Sequence, residues 1–173
     1  PEECEKIIAI ADQQYGHKAS VGADADSKVD TRIRSVTNYT VPMNQECWWV
    51  FEKIAAAVAT ANADFYRFDL LGITHELQLL HYKAAENDHY EWHADVGPGS
   101  SSFRKISVSV PLSDPNTYKG GDLEVNDNGR HVVAPKDRGS INMFPSYQLH
   151  RVAPVTEGDR WSLVIWVNGP RFK

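Results

Sequence analysis

Apolar residues change their spacing near Asp69. Before it they recur every three or four positions. Cys4, Ile8, Ala11 and Tyr15 share one stripe, which predicts a short amphipathic helix stopped at Gly16. Phe51, Ile54, Val58 and Phe65 repeat the pattern and predict a second helix from about Asn44 to Tyr66, capped by Asn44. Between them, Ser20 to Arg32 carries Asp24, Asp26, Lys28 and Asp30 without any apolar period. That segment is expected to be a mobile loop.

Beyond Asp69 the runs are short, apolar or alternating: Glu76–Lys83, Phe103–Leu112, Asp122–Val125, His131–Val133, Ser140–Phe144 and Trp161–Val167. Turn-forming clusters separate them, among them Gly97-Pro98-Gly99, Gly120-Gly121, Asn126-Asp127-Asn128-Gly129 and Asp137-Arg138-Gly139. Short strands at such spacing point to an antiparallel sandwich or barrel. Helices first and strands afterwards place the helices on one side of it. The class is therefore α+β, mainly β. The whole chain, 1–173, reads as one domain, with helices mainly in 1–66 and the β core mainly in 70–170.

The final run alternates strictly. Trp161, Leu163, Ile165 and Val167 form an apolar face suited to packing under the helices. Arg160, Ser162, Val164 and Trp166 face the other way, into a cavity, and they include a cation. A buried guanidinium is costly unless an anion meets it, and its fork suits a carboxylate. The other arrangement, an exposed edge strand, would also expose Trp166. Ser107 and Ser109 alternate with Ile106, Val108 and Val110, so they face either the cavity or solvent.

Composition changes this picture little. The apolar and charged fractions, 42% and 24%, are those of an ordinary globular chain. A net charge of -5 without a Lys/Arg block argues against a nucleic-acid partner. No apolar run is long enough for a membrane helix, and no signal peptide is apparent. Cys4 and Cys47 read as free thiols, which favours a reducing, cytoplasmic setting.

The chemistry lies in His93-Ala94-Asp95 and in His150. On a strand, residues two apart share a face, so His93 and Asp95 would project into one cavity. Two His and a carboxylate leave open positions on an octahedral metal, the facial triad of non-haem iron(II) oxygenases. A surface turn would carry the same three residues, so the motif needs its context. That context is His150, followed ten positions later by Arg160.

In this order and spacing the chain resembles the iron(II)/2-oxoglutarate dioxygenase superfamily, in its prolyl 4-hydroxylase-like (PKHD-type) branch. His93, Asp95, His150 and Arg160 match the four defining positions. Tyr82, Tyr90, Gly120-Gly121-Asp122-Leu123, Phe144-Pro145-Ser146 and Trp166 also match, in order. The stretch from Tyr82 to His93 is one residue longer than in comparable hydroxylases. Pro111 stands near where some relatives carry a second Tyr, a job Ser162 would then take.

The resemblance implies a double-stranded β-helix (jelly roll) with N-terminal helices packed on one sheet. It implies Fe(II) on His93, Asp95 and His150, and 2-oxoglutarate held by Arg160, Ser162 and Tyr82. O2 is then the second co-substrate and ascorbate the reductant. The implied reaction decarboxylates 2-oxoglutarate to succinate and hydroxylates an unactivated C–H bond. A carboxylate at Asp95 favours hydroxylation over halogenation. The branch points to a prolyl residue in a peptide or protein, with Tyr90, Trp92 and Trp166 toward the substrate. Alternatives are a non-prolyl or small-molecule substrate, a dioxygenase without 2-oxoglutarate, and a metal-binding jelly roll without catalysis. His75, His81, His89 and His131 lack ligand-like spacing and are expected to be structural or at the surface. Arg32 and Arg34 fit a solvated strand face better than a substrate contact. The segments 20–32 and 97–102 are expected to form the mouth.

Overall fold

The computed structural model describes residues 1–21 and 28–172. Helix α1 (Glu2–Ile8) starts with Glu2, Glu3 and Glu5 in its first turn, favourable at the positive end of the helix dipole. It tightens at once into a 3-10 turn, Ala9–Gln13. The tighter winding changes the stripe. Cys4, Ile7 and Ala11 are buried, Ile8 is at the margin, and Tyr15 is fully exposed beyond the end of the turn.

Helix α2 (Trp48–Ala61) buries Val50, Phe51, Ile54 and Val58. It starts later than Asn44. The Asn44 Oδ1 accepts the Cys47 N–H at 3.0 Å and closes the turn that leads in. After Ala61 the chain widens into a π-turn, Asn62–Tyr66, where the Arg67 N–H donates to the Asn62 carbonyl five residues back. Five-residue spacing rotates the stripe, so Phe65 is 80% exposed. Tyr66 turns inward instead, and its hydroxyl donates to the Met143 carbonyl.

The strands are β1 (His17–Lys18), β2 (Arg34–Ser35), β3 (Thr37–Val41), β4 (Leu77–Lys83), β5 (His89–His93), β6 (Arg104–Pro111), β7 (Lys119–Gly120), β8 (Leu123–Asp127), β9 (Arg130–Val133), β10 (Asn142–Pro145), β11 (His150–Val152), β12 (Val155–Glu157) and β13 (Asp159–Asn168). Among the described residues they form a major sheet, β1-β3-β4-β13-β6-β10, a minor sheet, β2-β5-β11-β8-β9, and a ribbon, β12-β7, all antiparallel.

This is the jelly roll with helices on one sheet. Leu77, Leu79, Ile106, Val108, Leu163 and Ile165 on the outer face of the major sheet pack with α1 and α2. Val36, Leu80, Tyr82, Leu123, Phe144 and Val152 fill the space between the sheets. Strands β1 and β3 fall where no strand was predicted, and β2 lies where only a solvated strand face was expected around Arg34. The run from Ile33 to Val41 has no clean alternation, and consecutive residues Arg34 to Asn38 are all buried because both faces are covered. The segment expected to be a loop, 20–32, lies partly outside the described residues, at 22–27. Cys4 and Cys47 are buried and free. Among the described residues no helix is long and apolar enough to cross a membrane.

Candidate metal centre

Strands β5 and β11 run antiparallel with His93 directly opposite His150. That register sets their rings side by side, centroids 4.2 Å apart. Asp95 is not on the strand. It lies two residues past the end of β5, in a bend fixed by Ser146, whose carbonyl accepts the N–H groups of Asp95 (2.9 Å) and Val96 (3.0 Å). The bend still delivers the carboxylate to the imidazoles. Asp95 Oδ1 is 3.6 Å from His93 Nε2, and Oδ2 is 3.4 Å from His150 Nε2.

These separations are long for hydrogen bonds and close to the roughly 3–4 Å expected between neighbouring ligands of one ion with bonds near 2.1 Å. One ligand atom from each residue falls within a 4.8 Å group. The far nitrogens are committed elsewhere. His93 Nδ1 donates to the Glu91 carbonyl at 2.7 Å, and His150 Nδ1 to the Gln148 carbonyl at 3.0 Å. A carbonyl can only accept, so each ring carries a proton on Nδ1 and leaves Nε2 as the nitrogen that could bind a metal at the centre.

Asp95 is finished by Ser107, whose hydroxyl donates to Oδ2 at 2.6 Å and meets Ser146 Oγ at 3.0 Å. Burial pushes the Asp95 carboxyl upward. The two imidazoles facing it and the Ser107 hydroxyl outweigh burial and hold the group below its ordinary range. Burial likewise pushes His150 downward, toward the neutral imidazole that a metal requires, with Asp95 opposing. Two imidazole Nε2 atoms and a carboxylate on one side of a cavity fit a facially bound divalent ion.

Strand β5 needs a bulge to make this work. His150 pairs with His93, yet Val152 pairs with Tyr90, so two residues of β5, Glu91 and Trp92, oppose Arg151 alone on β11. The extra residue lets Tyr90 and His93 both face inward, rings stacked at 3.5 Å. It also turns Trp92 outward, which corrects its expected place toward the substrate. Trp92 packs on His131 and under Arg151, itself bound by Glu124 on the outer face of the minor sheet.

Arg160, Ser162, Val164 and Trp166 all line the cavity, as the alternation of β13 required. Arg160 is 4% exposed, donates to Ser162 Oγ at 3.1 Å and faces the ring of Tyr82, its cross-strand partner, at 5.1 Å. Among the described residues no carboxylate pairs with it. Gly121 makes room for it. A Cβ there would lie 2.7 Å from Arg160 Cδ, and φ is +62°.

Sequence reasoning treated Arg32 and Arg34 alike and favoured a solvated strand face for both; the structure separates them. Arg32 is exposed and paired with Asp30, but Arg34 is 7% exposed and enters the site. Strand β2 pairs with β5, Arg34 opposite Tyr90, and the guanidinium lies 4.7 Å over the Tyr90 ring. Covered by both sheets, β2 has no period to betray it; the signal available was an Arg two residues from an apolar Val36. The cavity continues outward into a mouth of about 550 Å³ lined by Arg34, Gln78, Tyr90, Arg104, Trp166 and the turn Gly97–Ser101. Arg104 Cζ lies 3.6 Å over the Trp166 ring.

A jelly roll with two His and one Asp at its inner rim defines a class of metal-dependent oxygenase scaffold. Residues 77–168 match the 2OG-Fe(II) oxygenase superfamily, and the chain belongs to that family. It is similar to a PKHD-type hydroxylase of Synechococcus sp. (strain CC9605), 29% identical over 75% of this chain and 58% of that protein. It is also similar to one of Xylella fastidiosa, 40% identical over 47% of this chain and 40% of that protein. The chain thus spans between four and six tenths of these relatives. Two solved structures share the fold. A prolyl-4-hydroxylase of Pseudomonas putida has a TM-score of 0.70 at 18% identity, covering 98% of this chain and 88% of that one. A Trichoplax adhaerens prolyl hydroxylase in complex with a hypoxia inducible factor peptide fragment has a TM-score of 0.75 at 16% identity, covering 96% and 79%.

Proposed function

We propose that this chain is the catalytic domain of an Fe(II)- and 2-oxoglutarate-dependent dioxygenase that hydroxylates an unactivated C–H bond, with a prolyl residue of a peptide or protein as its leading substrate. The observation that carries the reading is Arg160. It is a buried guanidinium without an acid partner among the described residues, in the same cavity as the His93, Asp95 and His150 cluster. A purely structural metal site has no use for such a cation, whereas a dicarboxylate reaching from the metal to Arg160 satisfies it.

In this reading His93, Asp95 and His150 would hold Fe(II). The chemistry supplied by that assembly is decarboxylation of 2-oxoglutarate to succinate and carbon dioxide, coupled to insertion of one oxygen atom into a C–H bond, with ascorbate keeping the metal reduced. Ser107 and the two backbone carbonyls on Glu91 and Gln148 fix the ligand geometry. Arg160, Ser162 and Tyr82 receive the distal carboxylate. Leu80, Leu123, Val152 and Val164 keep water from the inner cavity. Tyr90 and Trp166 face the substrate side. The prolyl assignment draws on the named relatives and on a mouth open enough for a passing chain.

The test is succinate release with and without 2-oxoglutarate, with mass spectrometry of proline peptides for one added oxygen. His150→Ala should lose metal and turnover. Arg160→Ala should keep the metal but bind 2-oxoglutarate more weakly by about 2–5 kcal/mol, with Arg160→Lys in between. Parent-like affinity in Arg160→Ala would sink the co-substrate assignment. No oxygen added across varied proline peptides would remove the prolyl substrate alone.

A further inference from the structure

We propose that the substrate carries a carboxylate close to the carbon that reacts, and that Arg34 is the residue that receives it. The inference rests on the dioxygenase reading above and names the substrate chemistry of that same site.

Arg34 is another buried cation, and among the described residues its surroundings fix it without neutralising it. One Nη donates to the Ser20 carbonyl and the other to Gln78 Oε1, each at 3.0 Å. Both acceptors are uncharged. Its Nε is buried with no hydrogen-bond partner among the described residues. A guanidinium at 7% exposure holding only neutral acceptors and one idle donor is incomplete by itself. Its planar fork is matched by a carboxylate.

Position separates Arg34 from Arg160. Arg160 lines only the inner cavity, on β13 beside β4. Arg34 lines both the inner cavity and the mouth, on the opposite sheet. An anion on Arg34 would sit one aromatic ring from the metal-facing imidazole, since Tyr90 stacks between the guanidinium and His93. That is the approach side for a substrate.

The wider field agrees. The whole chain has a net charge of -5, yet Arg34 places a cation at the mouth. Asp95 is the one acidic side chain lining it among the described residues, and its oxygens are turned to His93, His150 and Ser107. Clefts with one sign of charge concentrate ligands of the other. The carboxylate has two possible sources: the α-carboxylate of a small amino acid, or an acidic side chain next to the reacting residue in a peptide.

Calorimetry tests this on the protein loaded with Mn(II) and saturating 2-oxoglutarate. The ligands are matched acid and amide pairs: N-acetyl-L-proline against its amide, and proline peptides with flanking Glu against flanking Gln. At least one acid should bind about ten-fold or more tightly than its amide, as for a hydrogen bond to a charged group. The pair that discriminates identifies the source. Arg34→Gln should bring the ratio near one and leave the 2-oxoglutarate affinity unchanged, with Arg34→Lys intermediate. Gln78→Glu, which supplies Arg34 with an internal carboxylate, should also erase the preference and guards against a misfolded Arg34 variant. Equal binding of acid and amide, or no binding of any acid, overturns the proposal. So does a preference that survives Arg34→Gln, or an Arg34→Gln variant that loses 2-oxoglutarate instead. Failure of the parent to bind 2-oxoglutarate at all overturns the dioxygenase reading, and this inference with it. Tight 2-oxoglutarate binding without acid preference removes only the role of Arg34.

Discussion

Gly121 and Ser107 touch no ligand in the proposed reaction, yet each decides where a reacting group sits. Gly121 has φ +62°, and any side chain would start 2.7 Å from Arg160 Cδ. Gly121→Ala should therefore displace the guanidinium and weaken 2-oxoglutarate about ten-fold while metal affinity stays, the cost of roughly one good hydrogen bond. Ser107→Ala should do the reverse. It removes a 2.6 Å hydrogen bond from a buried carboxylate, and loss of such an outer partner typically costs 10–100-fold in metal affinity. Mn(II) and 2-oxoglutarate titrations of the two variants settle both. A Gly121→Ala protein with parent-like 2-oxoglutarate affinity would show that Arg160 has room the geometry denies it. The sequence pointed to these positions unequally: Gly121 stood out as part of a motif, and Ser107 only as one of two serines on an alternating strand. No pattern marks which serine meets Asp95; the register of β6 beside β10 does, by setting Ser107 next to the Ser146 turn.

At the scale of elements, the displaced side chains Tyr15, Phe65 and Trp92 share one cause: local winding that changes phase. The 3-10 turn after α1 and the π-turn after α2 carry Tyr15 and Phe65 off the stripes that helical spacing assigned them. Phe65→Ser should then alter stability by no more than about 0.5 kcal/mol, as exposed substitutions do. Ile54→Ala, in the buried stripe of α2 against the major sheet, should cost about 2–5 kcal/mol. Urea unfolding of the pair checks this, and equal losses would contradict the π-turn. The bulge in β5 is the same effect in a strand. One added residue keeps Tyr90 and His93 on the inner face and sends Trp92 out. Straight alternation read from His93 cannot reveal it.

For the molecule as a whole, the site is a junction. Its three candidate ligands come from β5, the bend after it and β11, and the carboxylate is braced by β6 of the opposite sheet. An ion bound there ties both sheets together and binds only the folded chain. At 100 times its dissociation constant it should add about 2.7 kcal/mol. For a chain of this size that raises the melting midpoint by roughly 5–11 °C. Scanning fluorimetry with Mn(II) should show the rise in the parent, and His150→Ala should lose it along with its response to chelator. A His150→Ala protein that still gains the full increment would place the ion elsewhere.

The sequence by itself indicated the class of fold, the two helices and the inward face of β13, and it proposed the four positions His93, Asp95, His150 and Arg160 through their order and spacing, which resemble those of a known family. The fold elements follow from short-range rules. Period separates helix from strand, alternation separates the faces of β13, and a cation among apolar neighbours calls for an anion. Tertiary structure alone decided the rest. It buried β2 between covered faces and so turned Arg34, which looked solvated, into a fixed cation at the mouth. It chose Ser107 as the brace of Asp95 and put Trp92 outside. These outcomes depend on register between strands far apart in the chain, Arg34 opposite Tyr90 and His150 opposite His93. A shift of one residue in either register would point the opposite side chains inward, and nothing within a single strand records which register its partner takes.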